Sequence, residues 1–215
     1  MPTWVVTPLL VAFAFAGSAR ADDAARVDWA RGLLIAGGTG IADRHAPSPA
    51  VALGTSRRSA DDAAKKLLAA KLPTLPVAGG GTLAGKLADQ ATKAKLDAIV
   101  DAAITVTADP ETDGSWHVTL GVPLEAIRQA LADPRALPPK GDADPPVVIV
   151  DGVTAKPAIG TQIDGRGAAT IWVKDVPAWA KDAPHAAAKS SKGGAIELAK
   201  PDGGPATLYV LVGGK

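Results

Sequence analysis

Residues Gly80 to Lys86 fit the pattern G-x-x-x-x-G-K. In a phosphate-binding loop that spacing lets backbone N–H groups wrap a phosphate while the lysine reaches its outer oxygens. Leu87 follows, where a serine or threonine would hold magnesium, and Pro73 and Pro76 interrupt the approach. The segment therefore reads as a glycine turn leading into a helix. Gly37-Gly38-Thr39-Gly40 has the flavour of a dinucleotide loop. That chemistry requires a helix to start at the glycines, so that its N-terminus faces the pyrophosphate. Ala46-Pro47-Ser48-Pro49 comes too soon for a long helix to start there, and G-x-G-x-x-G is absent. The glycines are expected to form a turn at the end of a strand.

The three histidines, His45, His117 and His185, show no metal-ligand spacing, and no H-E-x-x-H occurs. They read as surface or packing residues. A nucleophilic triad assembles only in the fold, yet no G-x-S-x-G elbow is present. Asp61-Asp62 falls where a helix dipole favours negative charge. Asp28 beside Trp29 has two readings: it anchors the start of a strand, or it lines a pocket together with Gly38 and Gly40. Trp172 and Trp179 bracket Lys174-Asp175-Val176-Pro177. Tryptophans serve either as interface anchors or as core filler, and a chain with 4% aromatic residues favours the core. No catalytic, metal or cofactor residues are assigned; Asp28, Trp29, Gly38, Gly40, Trp172 and Trp179 are the candidate ligand or interface residues.

Residues 1–21 precede all of these. Val5 to Ala16 is an apolar run broken only by Thr7 and Pro8. It falls short of the roughly 20 apolar residues that span a bilayer. Ala19-Arg20-Ala21 then supplies an A-x-A cleavage site, which reads as a secretory signal peptide. Removing it leaves 22 basic and 22 acidic side chains, a balance that offers no field to attract nucleic acid. The absence of cysteine excludes disulfides, thiolate zinc sites and a lipid-modified N-terminal cysteine. The protein is expected in the periplasm or at the outer membrane, and not integral to the membrane once cleaved.

The elements that would position the candidate residues follow from periodicity. Val27 to Ala36 reads as strand, and Ile41 to Pro49 as loop. Ser59 caps a helix to Leu72, with Ala64, Leu67, Leu68 and Leu72 on one face. A second helix runs from about Leu83 to Ala102. Ala103 to Ala108 and Ser115 to Val122 form a hairpin around Asp113-Gly114, and Leu124 to Ala132 is a short helix. Five prolines mark 133–146 as a linker. Val147 to Val150, Ala168 to Val173 and Thr207 to Val212 are β-like, and Ala178 to Ala188 is a helix cut by Pro184. The expected organisation is α+β. A 22–132 domain has two helices on one face of an antiparallel sheet, and a small β-rich module covers 147–215.

That order of elements resembles the Lpp-twenty-type outer-membrane lipoproteins and related flagellar basal-disk and H-ring proteins. The matching places are Val27-Asp28-Trp29, Gly38-Thr39-Gly40, helix 59–72, hairpin 103–122 and the stretch VIVDGVTAKPAIGTQID from Val148 to Asp164, with Gly165 and Gly167 behind it. This chain lacks the lipobox cysteine, and carries Ala60-Asp61-Asp62-Ala63-Ala64 where the family's first helix has Arg-Ala-Ala. The resemblance implies an α+β fold, an envelope location and a non-catalytic structural or assembly role. The partners would be envelope proteins or a second copy of the chain. The alternatives are a periplasmic module binding a small ligand and, behind it, a hydrolase built around one of the histidines.

Overall fold

A computed structural model describes residues 24–132, 146–200 and 207–213. The signal segment with Ala19 and Ala21, and all of the proline-rich stretch except Pro146, lie outside these residues. The chain is α+β. Its first part builds a four-stranded antiparallel sheet from β1 (Arg26–Asp28), β2 (Leu33–Gly40), β3 (Ile104–Pro110) and β4 (Trp116–Pro123), in the order β1-β2-β4-β3. Helices α1 (Pro49–Lys71), α2 (Gln90–Asp101) and α3 (Leu124–Leu131) pack into this core together with Leu72, Leu75 and Leu83 from the segment between α1 and α2.

The glycines are not a strand-end turn, as expected, but the last four residues of β2. Their role is packing. Strand positions Leu34, Ala36, Gly38 and Gly40 alternate toward α1, whose buried stripe is Ser56, Ala60, Ala64 and Leu68. Two strand residues advance about 6.8 Å and four helical residues about 6 Å, so the two spacings mesh. A Cβ on Gly38 would lie 2.1 Å from the Ala60 carbonyl oxygen, and one on Gly40 would lie 1.7 Å from that of Ser56. Glycine is present because the helix backbone touches the strand backbone there. The Ser56 hydroxyl donates across the same seam to the Gly114 carbonyl (2.8 Å).

The sequence placed the start of α1 eleven residues too late. Ser48, not Ser59, is the cap: its hydroxyl accepts from the Val51 N–H, and Pro49 is the first helical residue. The proline pair read as a helix barrier is a helix start, because a first-turn proline loses no hydrogen bond and arrives with helical φ. The second expected helix is divided into a 3-10 turn (Leu83–Lys86) and α2, which Asp89 caps. The Thr92 hydroxyl and backbone N–H both donate to the Asp89 carboxylate, and hold its pKa below the ordinary carboxylate value. A carboxyl so depressed lends its cap fully above the unfolded-state pKa, and loses it as pH falls through the folded value. Acidification through that range should therefore fray the first turn of α2 before the rest of the helix. In an NMR pH titration the Thr92 amide should move with the Asp89 carboxyl; an Asp89→Asn chain should lack that step.

The second part forms a seven-stranded sheet, ordered β7 (Arg166–Gly167), β6 (Gln162–Ile163), β10 (Ala195–Leu198), β9 (His185–Lys192), β5 (Val147–Val153), β11 (Leu208–Gly213), β8 (Ala169–Val173). The four strands from β9 through β5 and β11 to the edge strand β8 are parallel. Val148, Val150, Tyr209, Leu211 and Trp172 pack on one face, and Ile149, Val210, Val173 and Ala180 on the other. Burial on both faces explains why Val147 to Val150 and Tyr209 to Val212 read as unbroken apolar runs. The helix expected over 178–188 does not form: a 3-10 turn occupies Ala178–Ala180, and β9 begins at His185. Pro184 precludes helix there, and its residue type suits the start of a strand.

The two parts share a joint. The Trp172 N–H donates to the Trp29 carbonyl (3.0 Å), and the Trp29 ring packs against both cores. Ile159 belongs to the first core although it lies in the second part. The Ala78 N–H donates to the Ile159 carbonyl (2.8 Å), the Ile159 N–H to the Pro76 carbonyl (2.9 Å), and the Gly79 N–H to the Gly193 carbonyl (2.6 Å).

Candidate functional site

The candidate residues separate into three places. Asp28 anchors a turn: its carboxylate accepts from the Arg31 N–H (3.0 Å), and the Arg31 Nε lies 3.7 Å away. Trp29 and Trp172 lie in the joint. The cavity there, bounded by Trp29, Leu124, Arg128, Ile159 and Thr170, has a volume of about 20 Å³. That is room for one water and not for a metabolite. Gly38 and Gly40 are covered by α1 and face no opening. These three places therefore do not converge on a pocket. Trp179 departs from the core expectation: it is 60% exposed, whereas Trp172 is 4% exposed. The short 3-10 turn directs Ala180 inward and leaves Trp179 outside.

The glycine-rich segment 79–81 is a turn, with positive φ at all three residues. Lys86 ends a 3-10 turn ahead of α2, so neither the helix nor the strand of a phosphate-binding loop is in place.

Two histidines have acidic neighbours. His185 Nδ1 lies 2.7 Å from the Asp151 carboxylate, both half-exposed. His117 bonds through Nδ1 to the Thr39 hydroxyl (3.0 Å), and its Nε2 is 3.4 Å from Glu111. Hydroxyl, imidazole and carboxylate in a row satisfy the connectivity of a triad. Thr39 and His117 are cross-strand partners on β2 and β4. Acyl transfer would further need preorganised donors aimed at the developing oxyanion. Among the described residues, no group of three histidine or acidic side chains could hold a metal ion. No helix among them is long and apolar enough to cross a membrane.

What the sequence reading missed is the face of the first sheet turned away from α1. Registers give its rows: Arg26, Ile35, Gly121 and Ile104; then Gly37, Thr119 and Thr107; then Thr39, His117 and Asp109. Gly121 lets three branched side chains close over it: a Cβ there would lie 3.0 Å from Val106, 3.6 Å from Ile35 and 3.7 Å from Ile104. A β-bulge between Thr105 and Thr107 turns Val106 outward. Ile104 is 49% exposed and Val106 37% exposed. A cleft of about 240 Å³ lies beside them, lined by Arg26, Arg31, Ile35, Val106, Thr107 and Thr119. The sequence signal was the run Ile104-Thr105-Val106-Thr107: four β-branched residues, uncharged, on a strand that ends in proline.

The fold and this face thus define an α+β protein whose smaller sheet carries, among the described residues, an exposed apolar rim. No family model matches the chain, and no curated protein matches it.

Proposed function

We propose that this is a non-catalytic exported protein of the cell envelope that works by protein–protein contact, with the outer face of the four-stranded sheet as its contact surface. The observation that carries this is the exposure of Ile104 and Val106 on that face, at an edge with no lysine to guard it. The bulge at Val106 decides the manner of contact. It interrupts the regular spacing of backbone donors and acceptors along β3, so side-chain packing on the face is favoured over addition of a strand. Support for export comes from the apolar run and A-x-A site of residues 1–21. Support for an assembly role comes from the resemblance in element order and from the exposed branched residues of this face.

Val106→Lys tests this. A lysine on an exposed bulge should leave the melting temperature unchanged within about 1 °C, since surface changes of this kind fall within about 0.5 kcal/mol. Pull-down from solubilised envelope fractions should lose the specific partner band. Retention of the same partners at wild-type level would refute the assignment of the surface.

A further inference from the structure

We infer that in the unprocessed chain the apolar run Val5 to Ala16 occupies the cleft on this sheet face, and that cleavage after Ala21 uncovers it. This rests on the outer face being the contact surface, and it names what covers that surface before processing. The point of attachment carries the inference. The cleft of about 240 Å³ is lined by Ile35, Val106, Thr107 and Thr119, and also by Ala24, where the described chain begins. Residues 1–23 therefore join the fold at the wall of the cleft itself. Gly17 to Asp23 separate the run from Ala24. Those seven residues reach at most about 23 Å, at roughly 3.3 Å each. From β1 across β2 and β4 to β3 is three inter-strand gaps, about 14 Å. The tether is long enough to lay the run over Ile35, Ile104 and Val106. It is short enough to hold the run there at an effective concentration on the order of millimolar.

The chemistry of the cleft suits an uncharged occupant. Gly37, Thr119 and Thr107 make a row of short side chains across the sheet, beside the branched Ile35 and Ile104. Arg26 and Arg31 line the cleft too, and both are engaged within the chain, Arg31 with the Asp28 carboxylate. They present apolar stems to an occupant rather than an unmatched charge. Val5 to Ala16 carries no charged residue and holds Phe13 and Phe15, the only two phenylalanines of the chain. In water the run and the rim of Ile104 and Val106 both expose apolar surface, and laying one on the other withdraws both. Cleavage cuts the tether between run and cleft. The run then loses its high local concentration and departs, which opens the face to a partner. Processing thus precedes assembly.

Intramolecular photo-crosslinking tests this. The full chain is kept uncleaved by Ala19→Leu, which removes the small residue that cleavage needs, and is purified without detergent. A photoreactive residue replaces Leu10. The expected product is a monomer-sized crosslink from position 10 to peptides of β2, β3 or β4, in a yield independent of protein concentration. Val106→Lys should lower that yield about tenfold, because it sets a charge in the apolar contact. A crosslink to any other surface, one formed only between chains, none at all, or a yield indifferent to Val106→Lys overturns the inference. If the crosslink is absent while Val106→Lys still abolishes partner capture by the processed chain, the face remains a contact surface and only the cover is removed. If the crosslink forms while Val106→Lys leaves capture intact, the cover stands and the contact assignment falls.

Discussion

Gly40→Ala should cost the protein about 3–5 kcal/mol, enough to unfold the first sheet and its helices in most of the population. The added methyl would sit 1.7 Å from the Ser56 carbonyl oxygen and 2.8 Å from the Ala60 nitrogen, and both are backbone atoms of α1. No rotamer change relieves such a contact. The helix must lift away, and in doing so opens the seam that holds Ala60, Ala64 and Leu68 against β2. Gly38→Ala should act in the same way, its methyl 2.1 Å from the Ala60 carbonyl oxygen. Gly54→Ala is the matched control. It lies in the same helix with nothing within 4 Å of the added methyl, so it should stabilise by about 0.5–1 kcal/mol. Urea titration of the three variants, followed by far-ultraviolet circular dichroism, separates the cases. Equal midpoints for Gly40→Ala and Gly54→Ala would mean that helix and strand are not in backbone contact.

Trp29→Ala should have the second-largest effect, about 3 kcal/mol, and a different signature. The ring packs on both cores, and its own carbonyl receives the Trp172 N–H. Removing it withdraws apolar contact from each part and leaves a void around the small cavity bounded by Leu124, Ile159 and Thr170. The remaining ties are the Ile159 side chain, buried in the first core, and the backbone hydrogen bonds from Pro76–Gly79 to Ile159 and Gly193. Calorimetry should show one cooperative transition in the wild-type chain and a broadened or split one in Trp29→Ala. A single sharp transition at the wild-type temperature would show that the two parts are coupled elsewhere.

Much of the fold was legible from residue patterns, and the failures have physical reasons. The hairpin around Asp113-Gly114, the helix after Pro123 and the strands at 147, 169 and 208 announce themselves through turn residues and β-branched runs. The Gly37–Gly40 run was misread because glycine signals two opposite things, a turn or a close approach of another backbone, and periodicity cannot choose between them. The partner that decides it, the stripe Ser56-Ala60-Ala64, was visible as small residues four apart, yet only the fold opposes it to the glycines. Prolines at 47 and 49 were weighed as breakers, whereas Pro49 stands in the first turn, where the sign of its effect reverses, and Pro47 precedes the cap. Trp179 was assigned to the core by residue type; a three-residue 3-10 turn, too short to show periodicity, leaves it outside. The candidate contact face was the least legible part. It depends on which residues of four strands share a row, and on a single bulge that shifts the register.

Site-specific photo-crosslinking tests the contact surface most directly. A photoreactive residue at position 106, on the sheet face, is compared in living cells with one at position 66, on the solvent side of α1. The proposed role requires a discrete crosslinked species, containing this chain and another polypeptide of the envelope or a second copy, from position 106 and not from position 66. Crosslinking from position 66 alone, or from neither position, would contradict it.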